Sequence, residues 1–552
     1  MKFREQEIPV LPTLAAMPFL DWLELAALSC LAEATAYRVL RRLKAQGLVR
    51  FLRHASPLTA ATRRWHLTSP GLERLAEVEG RSVEYLLRTR PVSAHWQRLL
   101  LARLDAVAVI HRLASAIASV EEPFRFRWYR AHSLDAAMTL DGGRTVGVIR
   151  QGAFADRTAF ADRVNWLVGS RQDLPRGLLA LFPDEMRLRQ ARRLLARYPS
   201  PVYLALERDV AHAVADDAVW RTPSAPGLLS LEEALANLRP GGGLPVEQPL
   251  ARAALPETVS IDETGENVPN HLLPVLLKPA DKRLLDCLAD WPWATVADLC
   301  AFLDLSNSRV WRIAARLEDL GLVARGVLGG KRRLALGERG LTLLARRDRA
   351  SVSTALRRWS VQDDDGELAS HWRDVPGARS RPLARAVEHT DGVHRFLGAL
   401  LRQAKETRGC QVLQVSPPHH STRYFRHRGN LRSVHPDAFG VVRAGDKTLP
   451  FFLEWERRAV HPSTMAARLA PYLRYYSSNK PRDDHGHWPL VLVVFDDFLA
   501  EGNFLGVARR EMERAGVDVP LWISHTGLLV KVGPLGKAWR NPPQVEYGCA
   551  FE

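Results

Sequence analysis

Cysteine is scarce in this chain. Its 552 residues carry five, at positions 30, 287, 300, 410 and 549, with no CxxC pair among them. An odd and scattered set argues against a disulfide framework or a zinc ribbon and fits a reducing cytoplasm. No uninterrupted apolar stretch approaches the roughly 20 residues that a membrane span needs. The opening run Met1 to Glu7 lacks the apolar core of a signal peptide. A soluble cytoplasmic protein with no membrane partner is therefore expected. Acidic charge is short as well: 61 Asp and Glu stand against 77 Lys and Arg, a surplus of +16. That surplus favours a polyanionic partner, because neutralising phosphates releases condensed counterions.

What is present comes twice. Leu43 to Val49 closes a helix with an arginine-rich face, and Leu317 to Val323 closes another about half the chain later. Further on, Ile110-His111-Arg112-Leu113 is echoed by Val393-His394-Arg395-Phe396, and Leu134-Asp135-Ala136 by Pro436-Asp437-Ala438. The expected fold class is mixed α/β, arranged as a tandem duplication with a degenerate first copy. The expected domains are 1–85, 90–238, a Pro-, Glu- and Thr-rich linker over 239–276, 277–350, 380–535 and a tail over 536–552.

Residues 10–80 carry short helices followed by a hairpin pattern, and 278–345 repeat the plan. In the first copy, Val39, Leu40 and Leu43 take one side of a helix, leaving Arg38, Arg41 and Arg42 for solvent. In the second, Arg309, Arg312 and Arg316 fall on the helix, and Lys331, Arg332 and Arg333 on a glycine-led hairpin tip. The pattern resembles a pair of winged helix-turn-helix domains. The resemblance implies a recognition helix in the major groove of double-stranded DNA and a wing on the backbone.

The remainder of each half reads as helix, strands around the Asp-Ala pair, helix, apolar strand, Arg-rich helix and last strand. The segment between the echoed histidine and aspartate spans 24 positions (111 to 135) in the first half and 43 (394 to 437) in the second. The extra residues hold His419, His420, Arg423, Tyr424, Phe425, Arg426 and Arg428. This basic, aromatic segment suits DNA with single-stranded regions, since aromatic rings stack on unpaired bases; an ordinary hairpin core explains it almost as well. The histidines, including His435, His461, His485 and His487, share no ligand spacing, and a solvated set facing phosphate is expected in place of zinc.

Asp437 and Glu454 lie 17 positions apart (437 to 454), a spacing that puts one on each of two adjacent strands with carboxylates meeting at one end. Such a pair suits Mg²⁺ or Mn²⁺, hard ions that prefer oxygen ligands. Pro436-Asp437 with Glu454-Trp455-Glu456 resembles the two elements of the PD-(D/E)xK nuclease superfamily, a restriction-endonuclease-like α/β fold, with Glu456 in place of the usual lysine. The resemblance implies Glu388, or less favourably Asp391, as a further metal-binding acid on the preceding helix. Arg457 and Arg458 are nearby cations for the phosphate. The helix with Arg468 and Tyr472 is similar in placement to the post-motif helix of RecB-like nucleases. Tyr472 is expected to pack or touch phosphate in preference to acting as a nucleophile. In the first half Ile149 and Gln151 stand where Glu454 and Glu456 stand in the second, so that copy is expected to be catalytically silent.

The order of these motifs resembles the replication-relaxation family of plasmids and integrative elements. It implies a DNA-binding role in replication, mobilisation or relaxation of a mobile element, with Mg²⁺-dependent nicking or cleavage by the C-terminal domain. No zinc and no nucleotide cofactor are expected. The alternative is a non-catalytic origin-binding factor that recruits replication or transfer proteins. A transcription regulator leaves over half the chain unused.

Overall fold

The computed structural model describes residues 9–121, 124–170, 173–225, 227–259, 268–361, 371–456, 461–542, 544 and 546–552. The architecture is mixed α/β, with several sheets and many helices. Two compact units divide the chain: Met1–Asp286 with Asp319–Gly321 and Arg339–Leu356, and Cys287–Glu318 with Leu322–Glu338 and Arg357–Glu552. No helix among the described residues is long and apolar enough to cross a membrane.

In the first unit, helices Val10–Ala16, Trp22–Leu28 and Glu33–Ala45 precede an antiparallel pair, β1 (Val49–His54) and β2 (Thr62–Leu67), and helix Ser69–Glu79 follows. Asp21 opens the second helix with a capping box completed by Glu24, which satisfies amides that would otherwise lack partners. Gly47 closes the third, its φ of +73° lying where a side chain would be strained. The long helix Leu104–Ala118 leads into a seven-stranded sheet of β3 (Arg125–Trp128), β4 (Ala136–Thr139), β5 (Thr145–Arg150), β6 (Gly177–Phe182), β7 (Val202–Leu206), β8 (Trp220–Arg221) and β9 (Leu228–Leu229), in that order. Strands β5, β6 and β7 run parallel and are buried throughout. The apolar runs of β6 and β7 follow from covering both faces. The stretch expected as a linker is partly tied down here. Glu247 accepts hydrogen bonds from the backbone amides of Arg130, Ala131 and His132, and the Ala254 carbonyl accepts from the Ala94 amide.

The second unit holds helices Val296–Leu303 and Asn307–Asp319 and the antiparallel pair β10 (Val323–Leu328) and β11 (Lys331–Leu336). Its main sheet takes β12 (Cys410–Ser416), and the separate hairpin β13 (Arg423–His427) and β14 (Asn430–Val434) branches off before the chain returns to that sheet. The return strand β15 (Ala438–Ala444) lies between β12 and β16 (Lys447–Glu456), followed by β17 (Leu490–Phe495) and β18 (Leu521–His525). Pairing is antiparallel from β12 to β16 and parallel from β16 to β18. Helix Val387–Glu406 lies close against β16. A Cβ on Gly392 would stand 2.2 Å from the Trp455 indole, so only glycine permits this approach. The residues expected as a tail contribute Trp539 and Phe551 to the core of the unit.

Candidate acidic site at the end of β16

β15 and β16 pair with Ala438 opposite Leu453, so Asp437, just ahead of β15, reaches the end of its neighbour. The Asp437 amide donates to the Leu453 carbonyl at 2.9 Å, and Asp437 Oδ2 accepts from the Trp455 amide at 2.8 Å. Those two bonds pin the carboxylate to the strand that carries Glu454 and Glu456. Both glutamates feel it. Glu454 lies well above the ordinary carboxylate range, through burial first and then the negative charges of Asp437 and Glu456. Glu456 is pushed up to about 7 by burial, with Arg468 offsetting part of the effect.

Helix Pro462–Tyr476 supplies two partners, one turn apart. The Tyr472 hydroxyl donates to Glu454 Oε1 at 2.5 Å, and the half-exposed Arg468 pairs with Glu456. From the other side, His389 Nε2 lies 3.2 Å from Asp437 Oδ2. Burial lowers the affinity of His389 for a proton, but the Asp437 carboxylate outweighs burial and holds the imidazole above its ordinary range. Asp437, Glu454, Glu456, Arg468 and Tyr472 thus lie together; the 17-position spacing anticipates the Asp437–Glu454 pair, and the resemblance the other three.

Other expected residues are placed elsewhere. Glu388 is exposed on its helix, and its neighbour His389 is the residue that reaches Asp437. The apolar phase of that helix carries the signal: Val393, Phe396 and Leu400 form a buried stripe whose earlier turn falls on His389. Asp391 binds the buried Arg333 at 2.6 Å and Lys331 at 2.7 Å, an internal ion-pair cluster. Arg333 is 1 % exposed and also donates to the carbonyls of Leu328 and Trp293, so it lies inside the hairpin and not at its surface. Arg423 is buried too, donating to the His420 and Thr422 carbonyls and stacking over Phe439. Arg38, Arg41, Arg309, Arg312, Lys331, Arg332, Arg426 and Arg428 are exposed, and Arg42 and Arg316 are half-buried. Arg457 and Arg458 lie outside the described residues.

The first unit has the same local register without the acids. The Asp135 amide donates to the Val148 carbonyl at 2.8 Å, and Asp135 Oδ2 accepts from the Arg150 amide at 2.7 Å. Ile149 and Gln151 flank Arg150 as Glu454 and Glu456 flank Trp455, and both are buried. Two guanidinium groups, Arg163 at 2.8 Å and Arg349 at 2.9 Å, occupy the Asp135 carboxylate. Burial raises its pKa, yet these two cations win and hold it well below the usual range.

The helix–hairpin segments correspond as closely. Phe19 and Trp293 both adopt positive φ, +70° and +66°. Leu20 bridges Trp65 in the one, and Ala294 bridges Leu334 in the other. Each echoed histidine meets the acid of a capping box, His111 with Glu24 at 3.9 Å and His394 with Asp298 at 3.7 Å.

Beside the acidic site, a cavity of about 370 Å³ is lined by Asp437, His389, His435, His419 and Asp290. Comparison with curated proteins and with solved structures gave no match. Residues 285–491 match the family model described as Replication-relaxation. That span includes His389, Asp437, Glu454, Glu456 and Tyr472, and over it the chain is similar to the replication-relaxation family.

Proposed function

We propose that this is a DNA-binding protein of a mobile element, acting in its replication, mobilisation or relaxation, and that its acidic site nicks or cleaves DNA with a divalent metal. The observation that carries the reading is the crowding of three carboxylates at the end of β16, where Glu454 is disfavoured as an anion by burial first and then by Asp437 and Glu456. Crowding of this kind is relieved by a hard cation, so the residues present suit Mg²⁺ or Mn²⁺. Asp437 and Glu454 would hold the ion, which supplies polarisation of a phosphate oxygen and a more acidic water. The chain's own groups then have definite tasks. His389 fixes Asp437, Tyr472 fixes Glu454, and Arg468 balances Glu456 while half-exposed to an incoming phosphate.

DNA contact is supported by the exposed Arg38 and Arg41 on one helix and Arg309 and Arg312 on another, each helix followed by an antiparallel hairpin. We read both segments as winged helix-turn-helix modules that set the two nuclease-like sheets on duplex DNA. The shared register at Asp135 and Asp437, and at Phe19 and Trp293, supports an origin by duplication.

The test is incubation of purified protein with supercoiled element DNA, with and without Mn²⁺, followed by mapping of the nick. Glu454→Gln is expected to abolish cutting while leaving DNA affinity within about twofold; equal cutting by this variant sinks the catalytic reading. A second reading, a non-catalytic origin-binding factor that recruits replication or transfer proteins, is favoured by one observation. Glu454 and Glu456 already have protein partners in Tyr472 and Arg468. Site-specific binding without cutting, in wild type and variant alike, selects it.

A further inference from the structure

The cavity beside Asp437 carries a second set of donor atoms. Asp290, at the end of helix Pro279–Asp290, meets His419 and His420 from the short helix Pro418–Ser421. One ligand atom from each lies within 4.8 Å of the other two. His420 Nε2 stands 4.0 Å from Asp290 Oδ1, too far for a hydrogen bond. Two donors sharing one ion at about 2.1 Å lie roughly 3 to 3.5 Å apart, so a small side-chain rotation closes the set.

The backbone that carries the histidines is already fixed. Ser421 Oγ donates to the carbonyls of Ser416 and Pro417 at 3.0 and 2.8 Å, and the buried Arg423 donates to the His420 carbonyl at 3.0 Å. His419 packs on Trp359 with ring centroids 4.7 Å apart. Pre-set histidines beside a carboxylate are what an ion with imidazole affinity requires.

We propose that Asp290, His419 and His420 bind a first-row divalent transition metal ion, with Zn²⁺ as the reference occupant. Two imidazoles and one carboxylate suit zinc, iron or nickel, whereas magnesium favours an all-oxygen set. Three protein ligands leave coordination positions open, and the cavity lies beside them. A water or a phosphate oxygen fills such positions. The site is distinct from the acid pair in its ligand chemistry, and it does not depend on whether the protein cuts DNA.

The full-length protein, stripped with a chelator, is titrated with Zn²⁺ by calorimetry and with Co²⁺ by visible absorption, without DNA. One equivalent that depends on His419 and Asp290 is expected in wild type and is retained in Asp437→Asn and Glu454→Gln, whether or not the acid pair takes a second. Affinity is expected to fall at least about tenfold in His419→Ala and in Asp290→Asn. The Asp290 side chain is 41 % exposed, so its isosteric replacement removes a ligand without emptying the core. Absence of binding, binding indifferent to both His419→Ala and Asp290→Asn, or binding lost only in Glu454→Gln overturns the site.

Discussion

Tyr472 is placed where it can either attack or position. A nucleophilic phenol must shed its proton, but burial and the adjacent Glu454 carboxylate push this hydroxyl well above the ordinary tyrosine range. The proton is also in use, donated to Glu454. On the proposed function, Tyr472 is accordingly a positioning residue and not the nucleophile. In Tyr472→Phe, metal-dependent cutting is expected to fall by about tenfold, the worth of one charge-assisted hydrogen bond. Denaturing gels should reveal no protein–DNA adduct in either form; an adduct present in wild type and missing in the variant would reverse the assignment. Asp135 makes the contrasting case. With Arg163 and Arg349 both committed to it, Asp135→Ala should leave cutting intact yet destabilise the first unit by about 3 kcal/mol, because two guanidinium groups lose their counter-charge. Denaturant unfolding separates these outcomes from a catalytic role.

Helix Val387–Glu406 organises its surroundings through a single turn. His389 holds Asp437, Asp391 neutralises Arg333, and Gly392 admits the Trp455 ring. Asp391→Ala should cost about 3 kcal/mol by stranding a buried guanidinium, read as a shifted denaturation midpoint. Much of this unit was legible beforehand. The apolar strand and last strand expected in each half appear as β6 and β7 in the first unit and β17 and β18 in the second, because buried parallel strands admit little but aliphatic side chains. The 17-position spacing found the Asp437–Glu454 hairpin because strand pairing is a local, periodic property. The metal-binding acid on the helix was sought at Glu388 because a motif records residue type, whereas a helix selects by angle, and the angle favours His389. Arg333 and Arg423 were read as surface cations since sequence alone does not reveal that an arginine will find a buried acid or a cage of carbonyls. The trio Asp290, His419 and His420 unites residues more than a hundred positions apart, which no spacing rule can see.

Within the first unit, protons are linked to folding through buried histidines and a buried glutamate. His54 and His66 are buried neutral, each pushed down to about 4 from an ordinary 6.5, chiefly by burial. The unfolded chain takes up their protons first, so the stability they allow is complete above about pH 6.5 and drains away as the pH falls toward 4, by about 3 kcal/mol for each. Glu24 works the other way. Burial lifts it to about 7, and its penalty shrinks on acidification. Within the first unit the histidines, His132 at about 4 among them, outweigh Glu24, so the midpoint of that unit's unfolding should drop between pH 7 and pH 5. His66→Phe should flatten that dependence; an unchanged slope would refute the linkage. Salt should act on DNA affinity, given the formal charge of +16. Each of Arg309→Ala and Arg312→Ala is expected to lower the slope of log affinity against log salt by about 1.

On the proposed reading, the double clasp on Asp135 makes a metal site in that half hard to build. Restoring glutamates at Ile149 and Gln151 alone would recreate a familiar sequence signature, but the aspartate would remain spoken for by two permanent cations. A revertant would need at least Arg163 and Arg349 exchanged as well, four coordinated changes with no benefit until the last. If the acidic site of the second half works as proposed, drift toward a matching centre in the first is thereby closed.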